Sequence, residues 1–206
     1  MDKFTRLTAT ACPLDVANLN TDQILPARYL KLPRSAGSGK VLFQDLRFDG
    51  DGCERSDFPL NQPAWRDAKI IVAGRNFGCG SSREAAIYAL YDYGIRCVIA
   101  PSFGDIFAGN AGQNGLLTAI VSDDEAAEIM AALNRMPRLS VTVELEQQAI
   151  ACGNRTYSFS IDQVRRVRLL NGWDDIALTE SFHDRVAAFK TRDRTRRPWA
   201  FPRPRP

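Results

Sequence analysis

The chain has 206 residues, 45% of them hydrophobic, which is enough for one good core and one decorating loop, so a single main domain is expected. No run approaches the roughly 20 apolar residues of a membrane span, and Met1-Asp2-Lys3-Phe4-Thr5-Arg6 lacks the apolar stretch of a secretory signal. The reading is of a soluble, cytoplasmic protein. The net charge of +3 is uneven: residues 192–206 carry six arginines and one aspartate, leaving the remainder at −2, which excludes a general nucleic-acid footprint on the body.

In chain order, Thr5 to Leu14 alternates at Leu7, Ala9 and Ala11 and predicts a first strand, ended by Pro13. Asn18 to Asp22 is polar turn material, and Ile24 to Leu30 reads as a short helix. Residues 31–40 carry three cations, two glycines and two serines and read as a solvated linker; Asp49 to Pro63 is again loop. From residue 69 the pattern becomes alternating strand and helix. Lys69-Ile70-Ile71-Val72-Ala73-Gly74 predicts a buried strand, Ser82 to about Tyr91 a helix, and Cys97-Val98-Ile99-Ala100 a second strand ended by Pro101. Asp105 to Ala108 reads as helix and Leu116 to Val121 as strand. Asp123 to Met136 is an amphipathic helix with three acids in its first turn. Ser140 to Glu146 and Arg155 to Ile161 alternate as strands, with Gly153-Asn154 supporting a hairpin between them. Asp162 to Leu170 and Ser181 to Lys190 read as closing helices. The fold expected is mixed α/β: residues 1–190 as one domain, residues 191–206 as a flexible basic Arg/Pro-rich tail.

The most informative stretch is Asn76-Phe77-Gly78-Cys79-Gly80-Ser81-Ser82-Arg83-Glu84, lying between a strand and a helix. Gly78 and Gly80 permit a tight turn whose amides approach a ligand closely. The helix start adds orphan N–H donors and the positive end of the helix dipole. With two hydroxyls and an arginine on the same lip, the loop can bind a carboxylate and move a proton. From spacing alone, Ser81-x-x-Glu84 also reads as a capping box, which makes both residues helix-start devices. Cys79 reads as small apolar filler and His183 as a surface helix residue. The five cysteines form no CxxC pair and His183 is the only histidine, so a zinc or iron–sulfur site made by this chain alone is not expected.

This loop resembles the signature of the aconitase swivelling-domain superfamily, and within it the small subunits of bacterial isopropylmalate isomerases. Four further segments agree: Asn20 to Lys31, Leu42 to Phe48, Ala100 to Phe107, and Asn171 to Thr179. The likeness runs from about residue 3 to about residue 190. It implies an α/β swivelling β/β/α domain with a mixed, barrel-like sheet and flanking helices. It further implies a large-subunit partner that holds a [4Fe-4S] cluster and most of the active site. The implied reaction moves a hydroxyl between adjacent carbons of a malate-type diacid, by loss and return of water.

By the same resemblance Ser81 is the base, acting as an alkoxide, and Arg83 holds a substrate carboxylate with Ser82 and the Gly80 amide beside it. The loop from Arg28 to Lys40 is implied to close over the substrate's variable side chain. There Leu30 and Leu32 would meet an alkyl group, and Lys31 and Arg34 a carboxylate. One departure stands out: the family usually has a histidine after the glutamate, and this chain has Ala85, followed by Ala86-Ile87-Tyr88 in place of a common Ala-Pro-Trp. It leaves open a substrate such as a methylmalate, dimethylmalate or homoaconitate, or a non-catalytic anion- or RNA-binding role using the basic tail.

Overall fold

The computed structural model describes residues 1–31, 33–81 and 83–201, residue 36 by its backbone only. Its centre is one seven-stranded sheet with the order β4-β3-β2-β1-β5-β6-β7. Strand β1 (Arg6–Leu14) is long and serves two halves of it. Its first part pairs antiparallel with β5 (Ser140–Glu144), from Arg6 opposite Glu144 to Thr10 opposite Ser140. Its last four residues pair in parallel with β2 (Ile70–Ala73), from Ala11 opposite Ile70 to Leu14 opposite Ala73. Strands β3 (Cys97–Ala100) and β4 (Leu117–Ile120) extend the parallel half, and β6 (Ala149–Cys152) and β7 (Arg155–Ser158) the antiparallel half. The sheet curls until its edges meet: Ile120 and Ser160 exchange backbone hydrogen bonds of 3.1 and 2.8 Å. The expected barrel-like mixed sheet is present.

Two cores follow from the pleat. Ile70 and Val72 of β2 point into the curl with Cys97, Ile99, Val141, Val143 and Ile150, where α5 (Asp123–Arg135) adds Ile129 and Leu133. Ile71 and Ala73 point to the other face, against α3 (Glu84–Tyr93) and α4 (Asp105–Gln113). Every residue of β2 and β3 is buried because helices or sheet cover both faces, which is why these strands read as unbroken apolar runs.

Several local expectations need correcting. The segment expected as one helix from Ile24 to Leu30 is a single turn, α1 (Thr21–Ile24), then a 3₁₀ turn at Ala27–Tyr29. Asn20 caps α1 reciprocally with Gln23, each side chain bonding the other's backbone amide at 2.9 Å. Two further 3₁₀ turns, Arg34–Ala36 and Ser38–Val41, replace the expected linker, and the one-turn helix α2 (Gln44–Arg47) follows them. The Gly153-Asn154 turn joins β6 to β7; β5 reaches β6 through its own turn. Helix α6 (Gln163–Asn171) is followed by an unanticipated α7 (Asp175–Glu180), and α8 (His183–Arg196) runs past the helix end expected at Lys190. No residue of α8 is buried.

Candidate active site

The parallel strands point their carboxyl ends the same way, and three connections converge there: the segment after β1, the glycine-rich loop after β2, and the Ser102–Gly104 loop after β3. Such an edge is where open α/β sheets place ligands. The glycine-rich loop is laced to both neighbours. The Gly78 amide donates to the Leu19 carbonyl at 2.7 Å and the Thr21 amide to the Cys79 carbonyl at 2.9 Å. On the other side the Phe77 amide donates to the Ser102 carbonyl at 3.0 Å, and the Gly104 amide to the Phe77 carbonyl at 2.9 Å. Below, Phe77 sits edge-on to Phe107 with ring centres 5.3 Å apart. Gly78 lies flush on that ring, which a β-carbon would meet at 2.2 Å.

Residues 80–84 form the lip. Gly80 has φ +94°. Ser81 is exposed, and its carbonyl accepts a 3.0 Å hydrogen bond from the buried Thr21 hydroxyl. That bond holds Ser81 outside the helix. Helix α3 begins at Glu84 with Arg83 at the N-cap, and among the described residues no side chain caps it. The capping-box reading of Ser81 and Glu84 is therefore incorrect. Glu84 instead accepts from the Asn114 side chain at the end of α4, at 3.0 Å. The first intrahelical bond is made by the Ala86 amide to the Arg83 carbonyl at 3.0 Å, so the amides of Glu84 and Ala85 precede it at the positive end of the helix. Ala85 is half-buried against the core beneath the loop.

Arg83 is the most enclosed charge here, its side chain only 14% exposed. It forms a two-pronged pair with Asp22 of α1, one prong at 2.7 Å. Thr21 and Asp22 are the neighbours of the lip that residue-by-residue reasoning missed, although their segment carried the resemblance. Cys79 donates its thiol to the Asn18 carbonyl at 3.3 Å, in keeping with a filler role. His183 is exposed in the first turn of α8.

The structure does not gather all the expected residues at this lip. Arg34 lies against the middle of α3, over the Tyr88 ring at 4.4 Å and paired with Asp92 at 3.0 Å. Leu30 and Lys31 are exposed on the segment between; Leu32 and Ser82 lie outside the described residues. A cleft of about 450 Å³ opens between the end of β1, Gln23 and Phe58, but neither Ser81 nor Arg83 lines it. The lip is an open surface whose donors are hydroxyl, amide and guanidinium groups, a set suited to anions. Among the described residues no group of three or more His, Cys, Asp or Glu side chains is placed to hold a metal ion.

Residues 1–124 match the family profile of the Aconitase C-terminal domain. The 3-isopropylmalate dehydratase small subunit of Rhodospirillum centenum is 51% identical over 97% of this chain and 99% of its own length. Small subunits of the same name from Paramagnetospirillum magneticum and Brucella canis are 48% and 47% identical, each matched over 97% of this chain and 100% of its own length. Among solved structures, 3-isopropylmalate dehydratase from Methanocaldococcus jannaschii superposes with a TM-score of 0.64 at 26% identity, covering 90% of this chain and 99% of that one.

Proposed function

We infer the chemistry of this chain from its family: it belongs to the Aconitase C-terminal domain family and, within it, to the small subunits of 3-isopropylmalate dehydratases. It is the small subunit of a hydro-lyase that interconverts 2-isopropylmalate and 3-isopropylmalate by dehydration and rehydration, a step of leucine biosynthesis, and it acts with a large subunit. Full-length identity near one half to proteins of that name carries this reading.

The division of labour at the lip is our proposal. Dehydration removes a proton from a carbon beside a carboxylate and a hydroxide from the adjacent carbon. Ser81, as alkoxide, takes the carbon-bound proton, and the electron pair of that C–H bond forms the alkene as the C–O bond breaks. Return of the hydroxide to the carbon that lost the proton, with Ser81 giving its proton to the carbon that lost the hydroxide, completes the isomerisation. Arg83, its fork held in place by Asp22, binds a substrate carboxylate with the guanidinium N–H groups that Asp22 leaves free. The amides at the start of α3, the Gly80 amide and Ser82 complete the carboxylate cradle, while Leu30, Lys31 and Arg34 belong to the segment beside the variable side chain. The departing hydroxide requires a Lewis acid that the described residues do not supply, and we assign it to a [4Fe-4S] cluster on the large subunit.

Three structural facts support Ser81 as the base. It is exposed at the lip, its backbone is fixed by Thr21, and it stands beside both the helix start and Arg83. The test is Ser81→Ala in the subunit pair reconstituted anaerobically with iron and sulfide. Turnover should fall by about a hundred- to ten-thousandfold, with the thermal midpoint of the small subunit unchanged. Retained turnover would remove Ser81 from the mechanism.

A further inference from the structure

The segment from Thr21 to Arg34 is tied down at both ends, to the lip at its start and to the middle of α3 at its far end. At its start, Thr21 holds the Ser81 carbonyl and Asp22 holds Arg83. At its far end, Arg34 reaches α3: its Nη2 donates to Asp92 at 3.0 Å and its Nε at 3.2 Å, and its guanidinium lies 4.4 Å from the centre of the Tyr88 ring. Glu84, Tyr88 and Asp92 are four residues apart and so form one stripe along the helix. Tyr88 is one turn, about 6 Å, from the residue that opens α3 beside Arg83. The contact is close for backbone as well: a β-carbon on Gly39 would stand 2.5 Å from the Tyr93 amide nitrogen. Tyr88 has its phenol raised above the ordinary value, first by burial and then by the neighbouring Glu84. Between the two anchors the chain carries Leu30 and Lys31 exposed, an alkyl group and a cation with no partner in either core.

Resting on the function proposed above, we propose that Arg34 is a positioning residue for substrate selection. By clamping Asp92 and stacking on Tyr88 it fixes residues 33–40 along α3, so that Leu30 and Lys31, on the segment before them, form the wall meeting the part of the diacid that Arg83 does not hold. Arg34 reaches the substrate only through that wall. A direct carboxylate ligand would have to stand at the lip, whereas Arg34 lies against the middle of α3.

The experiment uses Arg34→Ala, Asp92→Ala and the swapped pair Arg34→Asp/Asp92→Arg in the reconstituted two-subunit enzyme, with 2-isopropylmalate as substrate. Each single variant should raise KM about tenfold with kcat changed less than about threefold. The swapped pair should bring KM back to within about threefold of the parent, because the guanidinium, now on the helix, still reaches the ring four residues before it. Amide exchange of residues 33–41, read on the full-length small subunit, should quicken in both single variants and slow again in the swap. A raised KM for Arg34→Ala with an unchanged KM for Asp92→Ala makes Arg34 a direct ligand and overturns the proposal. A swap no better than the single variants overturns it too, as does unchanged amide exchange. If the parent enzyme fails to turn over 2-isopropylmalate at all, the proposed function has failed, and amide exchange still judges the clamp.

Discussion

Gly78 and Gly80 are two residues apart in one loop, both left-handed, at φ +72° and +94°, yet their surroundings differ enough to separate strain from crowding. At Gly80 the nearest atoms to an added β-carbon are the Asn20 Cβ and the Thr21 Oγ1, each at 3.7 Å, an ordinary contact distance. Gly80→Ala therefore suffers only the left-handed backbone penalty, about 1–2 kcal/mol. At Gly78 the same methyl would stand 2.2 Å from Phe107 Cγ and 2.4 Å from its Cδ2. That ring cannot swing away: it is buried, edge-on to Phe77 at 5.3 Å and stacked on Phe103 at 6.4 Å. Overpacking of this kind adds about 1–3 kcal/mol to the backbone penalty, so Gly78→Ala should cost about 2–5 kcal/mol in all.

Urea unfolding at constant m-value reads both costs, and for a chain of this size each kcal/mol moves the thermal midpoint by about 2–4 °C. A double variant isolates the crowding. In a Phe107→Ala background the methyl meets no ring but still stands 2.8 Å from the β-carbon of residue 107, so Gly78→Ala should lose most, not all, of its excess cost over Gly80→Ala. If Gly78→Ala and Gly80→Ala differ by less than about 0.5 kcal/mol in the parent protein, the loop does not rest on Phe107 and the account of how the lip is supported is wrong.

The thiols give a pH dependence. Burial raises Cys12 from 9.0 to about 12 and moves Cys97 and Cys152 upward as well. A raised folded value means the associated stability is full below pH 9 and is lost as pH climbs from 9 toward 12. Cys12→Ala should flatten the fall in urea midpoint between about pH 9 and 10.5 relative to the parent; parallel curves would contradict it. In the native protein a thiol reagent should label exposed Cys53 and half-exposed Cys79 within minutes and leave Cys12, Cys97 and Cys152 until unfolding. Deleting residues 183–206 removes α8, which buries nothing, so the thermal midpoint should move by less than about 2 °C; a larger drop would show that α8 packs on the body.

What the sequence disclosed follows the physics of each element. Ile70 to Ala73 and Cys97 to Ala100 are buried on both faces, so their apolar runs are continuous and were legible as strands. Helix α5 announces itself by Ser122 and three acids in its first turn, with Ser122 and Glu125 forming a reciprocal cap. Strand β6 was missed because four residues after Glu146-Gln147-Gln148 carry too little pattern to stand apart. Helix α7 was missed because it buries none of its residues, with Ile176 70% exposed. At the site, the loop's residue types pointed to an anion, but the start of α3 did not follow its local capping signal. The Thr21–Ser81 contact spans 60 positions and overrides it. The Asp22 carboxylate on Arg83 likewise spans 61 positions, a pairing that no local pattern encodes.

Exposure of Ser81 has a consequence for where activity can reside. A cation about 4 Å from an alkoxide stabilises it by about 1 kcal/mol in bulk water and by about 4 kcal/mol at the effective dielectric of a partly covered site. In the free small subunit the lip is exposed, so the field of Arg83 on a neighbouring hydroxyl is screened by water, and part of it is cancelled by Asp22. The helix start adds about 0.3–1 kcal/mol when exposed. Only when another surface excludes water from the lip do the same groups act strongly enough to populate the alkoxide. On the proposed mechanism that surface comes from the large subunit. Catalytic competence thus belongs to the closed pair, and any variant that weakens subunit association should reduce turnover in proportion to the fraction of lips left uncovered.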